Sequence, residues 1–188
     1  LLEGFNKYAK AGLSAFATHQ IRKYTLMRDS INRSNGLLPG LDPLPNNMIA
    51  VPTGKTENLL WLGGQLTKQQ GSLLKYKVTA KFGVIGSIVG DIDFSGDISA
   101  KFKLLKDSVT ITGYGAFRNE QAPFLMENYV SNHFIWKNKF SKVRNYRVGG
   151  RLDIPHTSTQ INVGVENVEN HIYFNEKCLP TQKKGNVQ

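Results

Sequence analysis

The sequence predicts an all-β chain, an antiparallel up-and-down meander of about eight strands that forms part of a transmembrane β-barrel. Three observations carry this expectation. Apolar and polar residues alternate strictly over long segments, no run approaches the roughly 20 apolar residues a membrane helix needs, and the connections between segments alternate in length.

The alternation is clearest in residues 73–84, where Leu74, Tyr76, Val78, Ala80, Phe82 and Val84 interleave with Lys75, Lys77, Thr79, Lys81 and Gly83. A period of two places these sets on opposite faces of a strand. Residues 91–105 repeat the rule, with Ile92, Phe94, Gly96, Ile98, Ala100, Phe102 and Leu104 against Asp91, Asp93, Ser95, Asp97, Ser99, Lys101 and Lys103. The short link 85–90 makes the two segments a hairpin. Its arms exceed the roughly 5–6 residues common in soluble strands and suit a tilted strand crossing a bilayer.

Taken in order, residues 10–27 read as a strand in preference to an Ala-rich helix, because Ile21, Tyr24 and Thr25 favour strand. Leu13, Ala15, Ala17 and Ile21 form the more apolar side, which Phe16 and Tyr24 interrupt by falling on the polar one. Residues 28–57 hold Pro39, Pro43, Pro45 and Pro52 and read as one long loop. A shorter strand at 58–66 contains Trp61, Gly63 and Gly64, and 67–71 is a tight turn.

After the hairpin come a turn at 106–108 and a strand at 109–118 with Val109, Ile111, Gly113, Gly115 and Phe117 on one face. A connection at 119–128, a strand at 129–138 and a turn at 139–142 follow. Residues 144–154 set Tyr146, Val148, Gly150, Leu152 and Ile154 against Arg147, Gly149, Arg151 and Asp153. Beyond a turn at 155–158, the strand 159–174 sets Ile161, Val163 and Val165 against Gln160, Asn162, Gly164 and Glu166.

Short periplasmic turns and long outer loops give such alternating connections in an up-and-down barrel. In that frame residues 10–27 run outward, 28–57 is an extracellular loop, and the link at Pro155 is an exception, being short where a long one is due. Residues 1–188 read as a single barrel segment. The chain has neither an initiating Met nor a signal peptide, which predicts a piece of a longer barrel.

The mean hydropathy of -0.32 does not argue against a barrel, since only alternate residues face lipid. The 24 Lys and Arg against 14 Asp and Glu give a net charge of +10, which suits an anionic partner. The single cysteine, Cys178, excludes an internal disulfide framework. Thr53-Gly54-Lys55-Thr56 lacks the first glycine and the strand-loop-helix setting of a phosphate-binding loop. His19, His133, His156 and His171 show no metal-ligand spacing. Gly113 and Gly115 belong to a strand, and there is no Gly-x-Ser-x-Gly elbow. No catalytic residue, metal site or cofactor is therefore expected, and the chain does not read as an enzyme.

The segments Asn132-His133-Phe134-Ile135-Trp136, Tyr146-Arg147-Val148-Gly149-Gly150, Leu152-Asp153-Ile154-Pro155, Asn162-Val163-Gly164-Val165-Glu166-Asn167, Tyr173-Phe174-Asn175 and Leu179-Pro180 stand in an order and spacing that resembles the putative porin family of Bacteroidetes outer membranes. Ala15-Phe16-Ala17 and Tyr24-Thr25-Leu26-Met27 extend the likeness over most of the chain. The resemblance implies an outer-membrane β-barrel with a role in passive solute passage. It carries over no catalytic or ligand residue.

Two readings follow. In the first, Leu74, Tyr76, Val78, Phe82, Ile92, Phe94, Ile98, Phe102, Leu104, Tyr146, Val148, Leu152, Ile161, Val163 and Val165 face outer-membrane lipid. Lys75, Lys77, Lys81, Asp91, Asp93, Asp97, Lys101, Lys103, Arg147, Arg151, Asp153 and Glu166 then line a wet lumen. The partners are lipid and small solutes, anions favoured, with no nucleic acid expected. In the second, a soluble β-barrel or sandwich turns its apolar face inward and binds nucleic acid or another polyanion through a basic outer face. In the first frame the hairpin brings Lys75, Lys77, Lys101 and Lys103 to the periplasmic end, while Asp91, Asp93 and Asp97 gather toward the outer end.

Overall fold

The computed structural model describes residues 11–26, 54–69, 73–104, 107–131 and 134–187. Most of the long loop (28–53), residues 70–71, Lys106, Asn132 and His133, about which the sequence raised expectations, lie outside the described residues.

Seven long strands carry the fold: β1 (Gly12–Thr25), β2 (Gly54–Lys68), β3 (Leu74–Ile85), β4 (Ile92–Leu104), β5 (Asp107–Glu120), β8 (Val143–Ile154) and β9 (Thr159–Glu169). Between β5 and β8 come a one-turn helix α1 (Phe124–Glu127) and two short strands, β6 (Asn128–Val130) and β7 (Ile135–Lys137). After β9 come β10 (Ile172–Phe174), β11 (Pro180–Gln182) and β12 (Asn186–Val187). The main sheet has eight strands in the order β1-β2-β3-β4-β5-β8-β9-β12, and β1 and β12 are its edges. Every neighbouring pair is antiparallel. This is the all-β meander that the period-two pattern predicts. Its long strands run from 11 to 15 residues, enough to cross a bilayer at a tilt.

Besides shifts of one or two residues, as where β2 runs on to Lys68 and β5 spans Asp107–Glu120 in place of 109–118, three boundaries differ from the sequence reading, each for a local reason. Strand β2 begins at Gly54, so 54–57 is not loop, because Lys55 and Glu57 pair with Tyr24 and Arg22 of β1. Residues 129–138 are not a strand of the main sheet. Ser131 and Phe134 reverse the chain there: the Ser131 amide donates to the Phe134 carbonyl at 2.9 Å, and the Phe134 amide donates to Ser131 Oγ at 3.1 Å. The resulting hairpin pairs β6 with β7 and stacks Tyr129 on Trp136, with centroids 4.5 Å apart. Strand β9 stops at Glu169, because Asn170 turns left-handed at φ 60° and the chain folds into the separate β10–β11 hairpin.

The second difference removes the exception at Pro155. With 121–142 a single long connection, the turn at 155–158 falls at the same end of the sheet as the end of β2, the start of β3, the end of β4 and the start of β5. The end of β1, the start of β2 and the connections 86–91 and 121–142 fall at the other. We call these the short-turn end and the long-loop end.

The sheet is rolled. Phe124 follows β5, yet its ring lies 4.6 Å from that of Tyr24 on β1. Four inter-strand steps in a flat sheet would separate those strands by about 19 Å. A β-bulge in the β2–β3 pairing at Leu60/Trp61 adds to the bend. The connection 86–91 then folds back over the inner surface. Gly86 turns at φ 89°, where an added Cβ would lie 2.3 Å from the Asn58 carbonyl oxygen. Ile88 thereby comes to rest over Gly83.

Unlike the sheet of a soluble domain, this one leaves its apolar face uncovered. Among the described residues the buried apolar side chains are Leu26, Leu59, Ile88, Val109, Ala122 and Phe124, and all but Val109 belong to the long-loop end. Twenty-three large apolar side chains are exposed. Sixteen of them lie on one face of the seven long strands, among them Leu13, Phe82, Ile98, Val148 and Val163.

Candidate functional site

The other face lines a cavity of about 770 Å³. Phe16 of β1, Gln65 of β2, Lys77, Thr79 and Lys81 of β3, Asp93 and Asp97 of β4, Tyr114 and Arg118 of β5, Arg147 and Arg151 of β8 and Asn162 of β9 reach it. Strand alternation explains the set, since cross-strand partners share a face. Lys77 is opposite Asp97, which is opposite Tyr114, and Thr112 is opposite Arg151, which is opposite Asn162.

The register interleaves the charges. Lys81 Nζ lies 3.2 Å from Asp93, and Arg118 Nε lies 3.7 Å from the same carboxylate. Asp97 sits directly across from Lys77. The acids of β4 thus stand beside the lysines of β3 rather than apart from them at the long-loop end. Lys75, Lys101 and Lys103 lie opposite Ser99, Thr110 and Ser108, toward the short-turn end and outside the cavity lining. Arg151 pairs with Asp153 at 3.0 Å, and Glu166 accepts a 2.6 Å hydrogen bond from Asn145. Five basic side chains line the cavity against two acidic ones.

Two aromatic rings lie flat on this wall because glycines make room for them. A Cβ on Gly63 would fall 2.4 Å from the Phe16 ring, and one on Gly149 would fall 2.4 Å from Tyr114. Such contacts require the ring to lift or the strands to part. Gly149→Ala is therefore expected to cost about 1–3 kcal/mol, to be checked by denaturant unfolding of the full-length protein in micelles.

Asp91 sits apart from the other acids. It is 3% exposed, pairs with Lys142 Nζ at 2.8 Å, and accepts the Gln121 amide at 3.1 and 3.2 Å. Lys142 also donates to the Val89 carbonyl at 2.8 Å. The carboxylate thereby ties the 86–91 connection to both ends of 121–142. Segment 121–127 crosses the inner surface at the long-loop end, with Phe124 against Tyr24 and Lys55 Nζ 5.1 Å from the Phe124 ring centroid. Beneath it a second cavity of about 240 Å³ is lined by Arg22, Lys55, Glu57, Trp61, Asp91 and Glu127, among others.

Of the residues expected to line a lumen, Lys77, Lys81, Asp93, Asp97, Arg147 and Arg151 come together in one cavity. The residues expected to meet lipid fall on the opposite face, apart from Leu104, whose side chain lies outside the described ones. Sequence reasoning missed Phe16, Tyr114, Arg118 and Lys142. Phe16 carried a signal, as an aromatic on the polar side of β1, and Tyr114 and Arg118 occupy the polar positions of β5 between residues of its apolar face.

A family described as putative porin matches the chain over residues 1–188. No curated protein and no solved structure shows significant similarity to it.

Proposed function

We propose that this chain, which belongs to the putative porin family, forms wall of an outer-membrane β-barrel. Small solutes pass through it passively, anions more readily than cations, and without covalent chemistry. The observation that carries this reading is the uncovered apolar face, with a cavity lined by charged side chains on the opposite face of the rolled sheet. A soluble barrel or sandwich binding a polyanion would turn the apolar face inward, because water penalises a large exposed apolar surface. Lipid stabilises the same surface. In this reading the long-loop end is extracellular, the short-turn end is periplasmic, and residues 1–188 are one segment of the barrel.

Lys75, Lys77, Lys101 and Lys103 set the field near the short-turn end, where only Lys77 has an acid directly opposite. In planar bilayers the protein should conduct, with a reversal potential across a salt gradient on the anion side. Changing these four lysines to Glu should move it toward cations. An unchanged potential would remove the lysines from the conducting path, and absence of conductance would defeat the channel reading.

A further inference from the structure

We propose that Arg147, stacked on Tyr114 and flanked by Arg118 and Arg151, is a contact station for small oxyanions, solutes that carry a carboxylate or phosphate group. The proposal rests on the channel reading and gives it a substrate class.

The station is built from the wall upward. Tyr114 lies over Gly149 and Gly164, where added Cβ atoms would come within 2.4 and 2.9 Å of it. Its hydroxyl donates to Asn162 Oδ1 at 2.9 Å, which fixes the far end of the ring. The Arg147 guanidinium carbon is 5.7 Å from the ring centroid. A guanidinium held over an aromatic face keeps its in-plane N–H groups free for a planar or tetrahedral oxyanion, which it can bind through two parallel hydrogen bonds.

Of the three arginines that line the cavity, Arg147 is the one without an ion pair among the described residues. Arg118 has Asp93 at 3.7 Å, and Arg151 has Asp153 at 3.0 Å. Arg147 makes no ion pair within 4 Å among the described residues. Glu166 stands opposite it, but accepts from Asn145 at 2.6 Å. Because Arg118 is paired with Asn145 and Ala116 with Arg147, Arg118 and Arg147 are diagonal neighbours. Like charges so placed repel, and an anion between them removes the repulsion. Asp97, opposite Tyr114 with Lys77 beyond it, bounds the station on the β4 side.

The test is a calorimetric titration of the full-length protein in detergent micelles with inorganic phosphate, beside bilayer conductance in phosphate and in chloride. Saturable phosphate binding is expected. Arg147→Lys, which keeps the charge but loses the stacked fork and one of its two bonds, should weaken binding about tenfold, and Arg147→Gln should weaken it further. The side chain is exposed, so neither change threatens folding. Equal affinity in wild type and Arg147→Lys would overturn the station in favour of a diffuse field. Conductance without phosphate binding would overturn it and leave the channel reading standing. Binding that Arg147→Lys weakens, in a protein that does not conduct, would uphold the station and overturn the channel reading.

Discussion

Val148→Arg should destabilise the protein by about 2–4 kcal/mol in a bilayer, the cost of a cation on the lipid face of a barrel strand near the midplane. Val148 is the sixth of the twelve residues of β8, is 64% exposed, and faces away from the cavity between Gly115 and Val165. If water met this face, the same change would alter stability by no more than about 0.5 kcal/mol, as surface substitutions commonly do. Reversible denaturant unfolding of the full-length protein into lipid vesicles separates the two outcomes. Gln at 148 should give an intermediate loss, and Arg introduced at Thr79, on the cavity face of β3, should cost little. A negligible effect of Val148→Arg would remove the lipid environment from the account, and with it the reading of the exposed apolar face.

How far the chain could be read in advance depended on whether local pattern or long-range packing decided each element. Strands β3 and β4 were legible to within a residue or two because both faces obey one rule along their whole length. Their register followed once the hairpin was recognised. Strand β1 was harder. Its alternation breaks at Phe16 and Tyr24, and the breaks come from tertiary structure: Phe16 fills the space over Gly63, and Tyr24 meets Phe124 from a segment a hundred residues later. An aromatic on the polar side of a barrel-length strand, facing a glycine on the next, is the signal that could have found Phe16; Tyr24 faces Lys55 and has no such mark. Residues 129–138 misled for the opposite reason. Their β-forming composition is real, but Ser131 bends the chain midway, and the two halves pair with each other.

The charged wall was legible from parity, since Lys77, Lys81, Asp93, Asp97, Arg147 and Arg151 are polar-face residues of the strongest patterns. Arg118 and Tyr114 do not stand out because the polar face of the strand read at 109–118 is otherwise Thr110, Thr112 and Ala116, an uncharged set. The partnership of Asp91 with Lys142 had no local signature at all. The two residues belong to different connections, and the strand order β4-β5-β8 brings them to one end of the sheet, where Lys142 reaches Asp91 at 2.8 Å.

That partnership should dominate the behaviour of the long-loop end. Asp91→Ala leaves Lys142 without its carboxylate and the Gln121 amide without its acceptor, at positions shielded by both connections. The expected loss is about 2–4 kcal/mol, below the cost of a fully buried pair because the Lys142 side chain is 28% exposed. The same change unties segment 121–127 from the inner surface, where the contact of Phe124 with Tyr24 remains to hold it. Single-channel conductance should therefore rise modestly in Asp91→Ala and more in Asp91→Ala combined with Tyr24→Ala. The anion preference proposed above should persist, since the cavity bases do not depend on this contact. A double variant that folds and conducts like wild type would show that 121–127 lies outside the conducting path, and the solute's narrowest passage would then have to be sought along the arginine wall of β5 and β8.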